Sequence, residues 1–270
     1  MGSVVSAGTA TTRVADAFVR ARRGATPMSS YPGAMPQDLD QAYAHQDEAI
    51  GLWDEPIGGW KVGRITGDDA QRLGEDRLSG PIFAPSIVRA RGGDAMPIFE
   101  DGFAAVEGEV VFVLGRDAPP TQTAWTAQAA AGLIGSVHAG VEVASSPFPG
   151  INDHGPLVTI SDFGNNRGLL LGEAVRDWRD RTPADWQCET YLDGDLVGAA
   201  DASGIPGGPV ESLRFLLENT ARRGLPLKAG MVVSTGAITG VHRARAGQEA
   251  RVVFAGCAPL TCRLVPLRAA

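Results

Sequence analysis

The feature that most constrains the fold is the segment 103–116, FAAVEGEVVFVLGR, in which apolar and other residues alternate. Alternation with a period of two, a run of valines and a closing glycine are typical of a β-strand. Residues two apart in a strand project from the same face, so Glu107 and Glu109 lie side by side while Gly108 faces the other way. The sequence therefore predicts a strand that carries two adjacent carboxylates within an apolar run.

This pair of carboxylates indicates a metal site, because adjacent buried carboxylates repel each other and lose their hydration. A hard divalent cation such as Mg²⁺ or Mn²⁺ prefers carboxylate oxygens and would neutralise them. The alternative is an edge strand whose acidic outer face lies in water. Further along the chain, Glu142 lies between Val141 and Val143 in the strand-like segment GVEVASS. This third acidic residue inside an apolar run favours a site of three carboxylates.

Composition excludes several classes of function. Of the 270 residues, 44% are hydrophobic and 20% are charged, which predicts a folded chain with a sizeable core. A net charge of −7 without a cluster of Lys and Arg argues against nucleic acid as a partner. No apolar run approaches the length of a membrane span, and the N-terminus lacks the pattern of a secretory signal. Three cysteines in no metal-ligand spacing predict reduced thiols in a cytoplasmic protein.

Apolar spacing and breaker residues predict an α+β fold in which strands outnumber helices. Predicted helices cover residues 11–23, with Thr11 or Thr12 as cap, and residues 39–53, 123–133 and 209–222. Predicted strands cover residues 58–66, 103–116, 138–146, 230–236, 249–255 and 262–267, with a hairpin over 186–197 around Asp193-Gly194. The proline-broken segment 78–88 is predicted to be a loop with at most a short strand. We expect a largely antiparallel or mixed sheet, preceded by about 50 helical N-terminal residues.

Three other polar residues have ordinary interpretations at this point. Lys61 lies between Trp60 and Val62 in a predicted strand, where lysine is not favoured unless it reaches water or has a function. A solvated strand lysine is the default interpretation. His45 is expected on the surface of a helix, and His154 in an exposed, turn-rich loop.

The order of several motifs resembles one branch of the fumarylacetoacetate hydrolase superfamily. The motifs are GWKVG, VEGEVVFVLGRD, GVEVASS, ISDFGNNRGLLLG, RRGLPLKAGMVVSTGAITG and VVFAG. They are similar to those of 2-oxo-4-pentenoate hydratases and 4-oxalocrotonate decarboxylases over nearly the whole chain. The resemblance implies a small helical N-terminal region over residues 1–56. It also implies a metal-binding catalytic domain over residues 57–270, with the mixed β-sandwich or roll of the superfamily's C-terminal domain.

The resemblance also implies roles for individual residues. Glu107, Glu109 and Glu142 match the family's metal carboxylates, which implies Mg²⁺ or Mn²⁺ as cofactor. Lys61 matches the lysine of the G-[YW]-K-[IV]-G motif, and we expect it to be a general acid and base whose pKa is lowered by the cation and by burial. Asp162 matches the aspartate of the I-A-D-N loop and is the second catalytic candidate. The candidate substrate-binding residues are Thr66, which falls where relatives usually carry Ser, Asn166, Arg167 and Thr235.

The chain departs from the family's motifs near the expected substrate pocket. Leu78 takes the place of an aspartate that relatives carry before G-x-[LI]-F, with Asp76 two residues earlier. Phe163 replaces the amide that follows Asp162, and the segment 142–147 lacks the Asp and Arg of E-x-x-D-S-R. A larger apolar wall at Phe163 and a guanidinium at Arg167 suit a substrate with an apolar middle and a second carboxylate. Alternatively, Arg167 points to solvent and Phe163 packs beneath the loop.

The reaction implied by the resemblance is the metal-dependent addition of water to a 2-hydroxy-2,4-dienoate, which gives a 4-hydroxy-2-oxo acid, as in aromatic meta-cleavage catabolism. Polarisation of the C2 oxygen stabilises an enolate, and a general acid and base moves the protons. Decarboxylation of a 2-oxo-3-enedioate uses the same stabilisation and stays open. So do carbon–carbon bond hydrolysis of an acylpyruvate, for which His154 is the substitute base, and an inactive metal-binding scaffold subunit. The resemblance further implies a homo-oligomer, with a partner enzyme of the pathway as a further candidate for complex formation.

Overall fold

Two helices open the part of the chain that the computed structural model describes, residues 7–269. Helices α1 (Ala7–Arg23) and α2 (Leu39–Leu52) pack against each other, and the Asp38 side chain caps α2 by accepting the Gln41 N–H. Both predicted helices are confirmed, but α1 begins earlier, so Thr11 and Thr12 lie inside it and not at its cap. The predicted domain boundary falls between α2 and the first strand and stays a prediction; the helical region 1–56 lies partly outside the described residues.

Thirteen strands form two sheets. The larger sheet contains β1 (Ile57–Arg64), β2 (Arg77–Phe83), β3 (Ile87–Arg89), β5 (Phe103–Leu114), β6 (Ile134–Ser146), β7 (Asn166–Ala174), β10 (Val232–Ser234) and β11 (His242–Arg243). The smaller sheet contains β4 (Asp94–Ile98), β8 (Cys188–Leu192), β9 (Asp195–Ala200), β12 (Glu249–Phe254) and β13 (Leu260–Pro266). Antiparallel neighbours dominate, while β1 with β10, β3 with β7 and β4 with β13 are parallel. The predicted mixed α+β fold is therefore confirmed.

The strand order places the acidic strand in the middle of the larger sheet. The order is β2-β1-β10-β5-β6-β7-β3, and β11 also pairs with β5. Strand β2 was predicted to be a loop because of Pro81, and that prediction was wrong. Because β2 is the first strand of the sheet order, a residue without an N–H can lie on its unpaired side.

Four shorter or later helices complete the fold: α3 (Gly67–Leu73), α4 (Ala127–Ala131), α5 (Pro156–Ser161) and α6 (Pro209–Arg222). The prediction for α6 is confirmed, including Pro209 in its first turn. The helix predicted over 123–133 is only the short α4, and α5 was not predicted. The turn of the β8–β9 hairpin has left-handed backbone at Asp193 and Gly194, with φ of 50° and 91°, as the type I′ prediction requires. None of these helices is long and apolar enough to cross a membrane.

Gly108 shows how closely the two sheets approach each other. A Cβ atom at this position would lie 2.5 Å from Cys188 Sγ on β8 and 2.9 Å from Val252 Cγ1 on β12. The face of β5 opposite the glutamates is therefore pressed against the smaller sheet, where only glycine fits. Both faces of β5 are buried, which excludes the wet edge strand that the sequence left open.

Candidate metal centre

Three glutamates converge on the inner side of the larger sheet. Glu107 and Glu109 project from one face of β5, and the register of β5 with β6 places Glu142 directly opposite Glu107. One carboxylate oxygen from each residue lies within 4.8 Å of the other two. Glu109 and Glu142 are completely buried, and Glu107 is 4% exposed. The three side chains form a divalent metal site, since oxygens at this spacing can bind one hard cation together.

Lys61 is the cation that the fold brings to this cluster. Its Nζ lies 3.3 Å from Glu142 Oε1, and its side chain is 5% exposed. Strand β1 lies between β2 and β10, so the default interpretation of a solvated lysine was wrong. The loop before β7 also covers the lysine, because a Cβ atom at Gly164 would lie 3.2 Å from Lys61 Cδ. Lys61 is thus enclosed with the three carboxylates.

Three carboxylates and one ammonium leave this enclosed cluster with two negative charges when all four groups are ionised. Burial raises the pKa of Glu107 to about 7, with Lys61 opposing the shift and Glu142 adding to it. Burial, followed by repulsion from Glu142 and Glu107, raises the pKa of Glu109 well above its ordinary value. Burial lowers the pKa of Lys61, but the three carboxylates outweigh burial and raise it. The expected low pKa of Lys61 is therefore not present while the carboxylates are not neutralised.

Two unsatisfied oxygens test whether a cation fits this cluster. Glu109 Oε1 and Glu142 Oε2 are buried and have no hydrogen-bond partner within residues 7–269. The other oxygen of each carboxylate is held: the Gly236 N–H donates to Glu109 Oε2 at 2.8 Å, and Asn166 Nδ2 donates to Glu142 Oε1 at 2.9 Å. A buried carboxylate oxygen without a partner is costly. The donor set, the spare oxygens and the excess negative charge all fit a divalent cation held by the three glutamates.

Asp162 is near this centre in the chain but is bound to an arginine from the first helix. Arg22 donates to both carboxylate oxygens, with Nη2 to Oδ2 at 2.9 Å, and the two side chains are 5% and 0% exposed. Arg22 Nη1 also donates to the Asn166 carbonyl at 2.9 Å. Arg22 therefore fixes the backbone of the residue whose amide holds Glu142. Sequence reasoning missed Arg22, because an arginine near the end of a polar helix gives no signal of burial.

The remaining predicted site residues lie in different surroundings. Thr66 is exposed just before α3, and the buried Thr235 hydroxyl donates to the Val110 carbonyl at 2.8 Å. Arg167 lines a cavity of about 500 Å³ that none of the three glutamates lines. Phe163 packs edge-to-face on Trp53 and on Phe83 and lines the same cavity. Of the predicted catalytic and substrate-binding residues, Lys61 and Asn166 are the ones with printed contacts to the glutamates.

Ser234 is a further polar residue of the centre that the sequence did not indicate. It pairs in register with Lys61 on one side and with Val111, two residues beyond Glu109, on the other. The serine is completely buried, and its hydroxyl has no hydrogen-bond partner in the described part of the chain. A small polar residue between Val233 and Thr235 gives no local signal, because only the sheet register brings it to the glutamates.

Leu78, which stands where relatives carry an aspartate, has an apolar environment. It is 4% exposed and packs in one cluster with Tyr43, Ile65 and Ile160. The neighbouring Asp76 is instead paired with Arg77. The carboxylate expected from the family at this position is therefore not replaced by Asp76.

Comparison with known proteins places this geometry. No protein-family model matches the chain. A 2-keto-4-pentenoate hydratase from Burkholderia vietnamiensis is 27% identical over 188 residues, which cover 68% of this chain and 69% of that protein. The 4-oxalocrotonate decarboxylase from Pseudomonas putida G7, solved with magnesium and adipate, has a TM-score of 0.79 at 17% identity and covers 98% of this chain and 100% of its own. The fumarylpyruvate hydrolase from Pseudomonas aeruginosa, in complex with Mn²⁺ and pyruvate, has a TM-score of 0.57 at 16% identity and covers 79% of this chain and 91% of its own.

The curled mixed sheet and the buried glutamate centre define a class of metal-dependent enzymes with N-terminal helices. The chain belongs to the fumarylacetoacetate hydrolase superfamily, on the branch that contains 2-keto-4-pentenoate hydratases and 4-oxalocrotonate decarboxylases. The resemblance inferred from the motifs and the fold expected from it are both confirmed.

Proposed function

We propose that this protein is a divalent-metal-dependent hydro-lyase that adds water to a 2-hydroxy-2,4-dienoate and forms a 4-hydroxy-2-oxo acid, as in aromatic meta-cleavage catabolism. The observation that carries the proposal is the enclosed centre of three glutamates with Lys61 at 3.3 Å from Glu142. A cluster that needs a divalent cation and holds one proton-bearing amine suits chemistry on a 2-oxo acid. The sequence similarity to a hydratase supports hydration as the first candidate.

The residues of the centre divide the work between holding charge and moving protons. Mg²⁺ or Mn²⁺, when bound by Glu107, Glu109 and Glu142, supplies Lewis-acid stabilisation of negative charge on the substrate's 2-oxo acid end. Lys61 holds a proton at Nζ on the edge of the cluster and exchanges it with the reacting carbon chain. Asn166 and the Gly236 N–H orient Glu142 and Glu109, and burial of the cluster excludes bulk water.

For Asp162 we propose a positioning role in place of a catalytic one. Both of its carboxylate oxygens are used by Arg22, which also holds the Asn166 carbonyl. Asp162 thereby acts on the centre through Arg22 and Asn166. Substrate contacts of Thr66, Arg167 and Thr235 stay predictions, as do homo-oligomerisation, association with a partner enzyme and a cytoplasmic location.

Decarboxylation of a 2-oxo-3-enedioate is the second candidate, supported by the fold shared with 4-oxalocrotonate decarboxylase over 98% of the chain. Carbon–carbon bond hydrolysis has less support, because it calls for a base such as a histidine beside a glutamate. His45 bonds with Tyr31, His138 with Ser136 and His242 with Thr239, while His154 stacks on Phe148.

The two candidates are separated by product analysis. Purified protein with Mg²⁺ is incubated with a 2-hydroxy-2,4-dienoate or with a 2-oxo-3-enedioate, and the products are identified by NMR. We expect a 4-hydroxy-2-oxo acid from the dienoate. Release of CO₂ from the enedioate without hydration of the dienoate would replace the proposal with the decarboxylase. Tight metal binding without turnover of either compound would favour the inactive scaffold.

A further inference from the structure

A cavity of about 500 Å³ lies beside β7, apart from the metal centre. Its walls are mainly aromatic and apolar, and its polar lining is rich in arginine. The residues that matter here are Trp53, Phe83, Phe99, Phe163 and Arg167. A volume of this order is typical of sites for small molecules.

Strand alternation separates this cavity from the glutamates. Asn166 and Arg167 are consecutive residues of β7, so their side chains leave opposite faces of the strand. Asn166 Nδ2 reaches Glu142 at 2.9 Å, and Arg167 therefore points away from the metal centre and lines the cavity. This site is distinct from the one that would take the 2-oxo acid.

Arg167 is a partly buried cation without a close partner. Among residues 7–269 no hydrogen bond or ion pair within 4.0 Å is formed by its guanidinium. Burial and the neighbouring Arg22 charge lower the pKa of Arg167 to about 10, with only Glu55 acting in the opposite direction. The Glu55 carboxylate is exposed and accepts a hydrogen bond from Trp53 Nε1 at 3.0 Å.

The nearby Arg22 does not share this property. Its guanidinium is occupied by Asp162 and by backbone carbonyls, and it lies 5.2 Å from the centre of the Phe163 ring. Arg167 is therefore the cation of the cavity wall that is available to a ligand. A planar guanidinium that lacks acceptors is best satisfied by a carboxylate, which can accept two parallel hydrogen bonds.

We propose that this cavity binds a small carboxylic acid with a flat apolar body. The carboxylate pairs with Arg167, and the body packs among Trp53, Phe83, Phe99 and Phe163. Aromatic walls favour a planar conjugated or aromatic acid over a compact polar anion such as phosphate. The inference does not depend on which reaction the metal centre catalyses.

The test is calorimetric titration of the Mg²⁺-loaded protein with cinnamate, with cinnamamide as the neutral analogue of the same shape. We expect cinnamate to bind and cinnamamide to bind at least about tenfold more weakly, since a charged hydrogen-bonded pair is lost. Arg167→Met should weaken cinnamate binding by about tenfold or more. Arg263→Met, at an exposed arginine of β13 outside the cavity lining, should leave it unchanged.

Two further measurements separate this site from the metal centre and from a folding defect. Cinnamate affinity should be the same in EDTA and in Glu142→Gln, whereas a loss in both would place the acid at the metal and overturn the proposal. Val88→Phe adds bulk to the cavity wall and should weaken cinnamate binding without changing Mn²⁺ affinity, which serves if Arg167→Met does not fold. Absence of cinnamate binding, or equal binding of cinnamamide, would also overturn the proposal.

Discussion

Glu109 is the ligand whose loss should be felt most directly in cation binding. It is completely buried, one of its oxygens is held by the Gly236 N–H, and the other has no partner among the described residues. Glu109→Gln keeps the shape and removes the charge, so we expect Mn²⁺ affinity to fall by at least about tenfold in calorimetry. Glu189→Gln, at an exposed glutamate of β8, is the matched control. Full Mn²⁺ binding by Glu109→Gln would remove Glu109 from the site.

Lys61 should matter for turnover more than for folding once the cation is present. Lys61→Met preserves most of the packing of the stem and removes the ammonium that lies 3.3 Å from Glu142. We expect kcat to fall by at least about tenfold, in line with general acid–base catalysis, with little change of the thermal midpoint in saturating Mg²⁺. Turnover equal to that of the wild type, or loss of the folded state in Mg²⁺, would contradict this role.

Strand β5 depends on Gly108 because the smaller sheet packs against it at this point. In Gly108→Ala the new methyl group would clash with Cys188 Sγ at 2.5 Å, so β5 or β8 must shift. We expect a loss of about 1–3 kcal/mol in the free energy of unfolding and weaker Mn²⁺ binding, because Glu107 and Glu109 move with the strand. Denaturant titration and calorimetry measure the two effects.

Two comparisons sharpen this experiment. Gly51→Ala, in α2 with open space around the new methyl group, should be neutral or stabilising. Adding Cys188→Ala to Gly108→Ala removes the clashing sulfur and should restore part of the stability, as a positive coupling in a double-mutant cycle. Independent, additive effects of Gly108→Ala and Cys188→Ala would show that the clash is not the cause.

Helix α1 is joined to the start of β7 by the buried pair of Arg22 and Asp162. Removal of one partner leaves a buried charge without compensation, so Arg22→Met should cost roughly 3–5 kcal/mol of unfolding free energy. Arg20→Met removes a surface pair with Asp16 on the same helix and should change stability by less than about 1 kcal/mol. Denaturant titrations of similar midpoint for the two variants would show that the buried pair does not stabilise the docking of α1.

Stability of the folded chain should depend on pH and metal together. Glu107 titrates at a pKa of about 7 in the folded protein and near 4.5 when unfolded, so between these values the metal-free folded state binds more protons. Metal-free stability should therefore fall as pH rises from about 4.5 to about 7. Mg²⁺ should raise the thermal midpoint more at pH 8 than at pH 6, because protons compete with it below the raised pKa.

Scanning calorimetry with and without Mg²⁺ measures this difference directly. Glu107→Gln removes the titrating group and should flatten the dependence of metal-free stability on pH. An equal increase of the midpoint by Mg²⁺ at both pH values would contradict the linkage of proton and metal at the three glutamates.

Much of the chain could be predicted because the deciding rules act over a few neighbouring residues. The period of two in β5 placed Glu107 and Glu109 on one face, and the Asp193-Gly194 pair determined the hairpin turn. Local rules failed at β2, where Pro81 argued for a loop, because the position of a strand at the sheet edge is not encoded nearby.

Periodicity and turn chemistry therefore account for the elements and for two of the three metal ligands, since both are written in contiguous residues. The surroundings of those ligands depend on packing between distant segments. Lys61 is buried because β2 and β10 flank β1, and Asp162 is bound by Arg22, which lies 140 residues away in the chain. The unpartnered cation at Arg167 likewise exists only because β7 turns consecutive side chains to opposite faces of a folded sheet, one toward the glutamates and one toward the cavity.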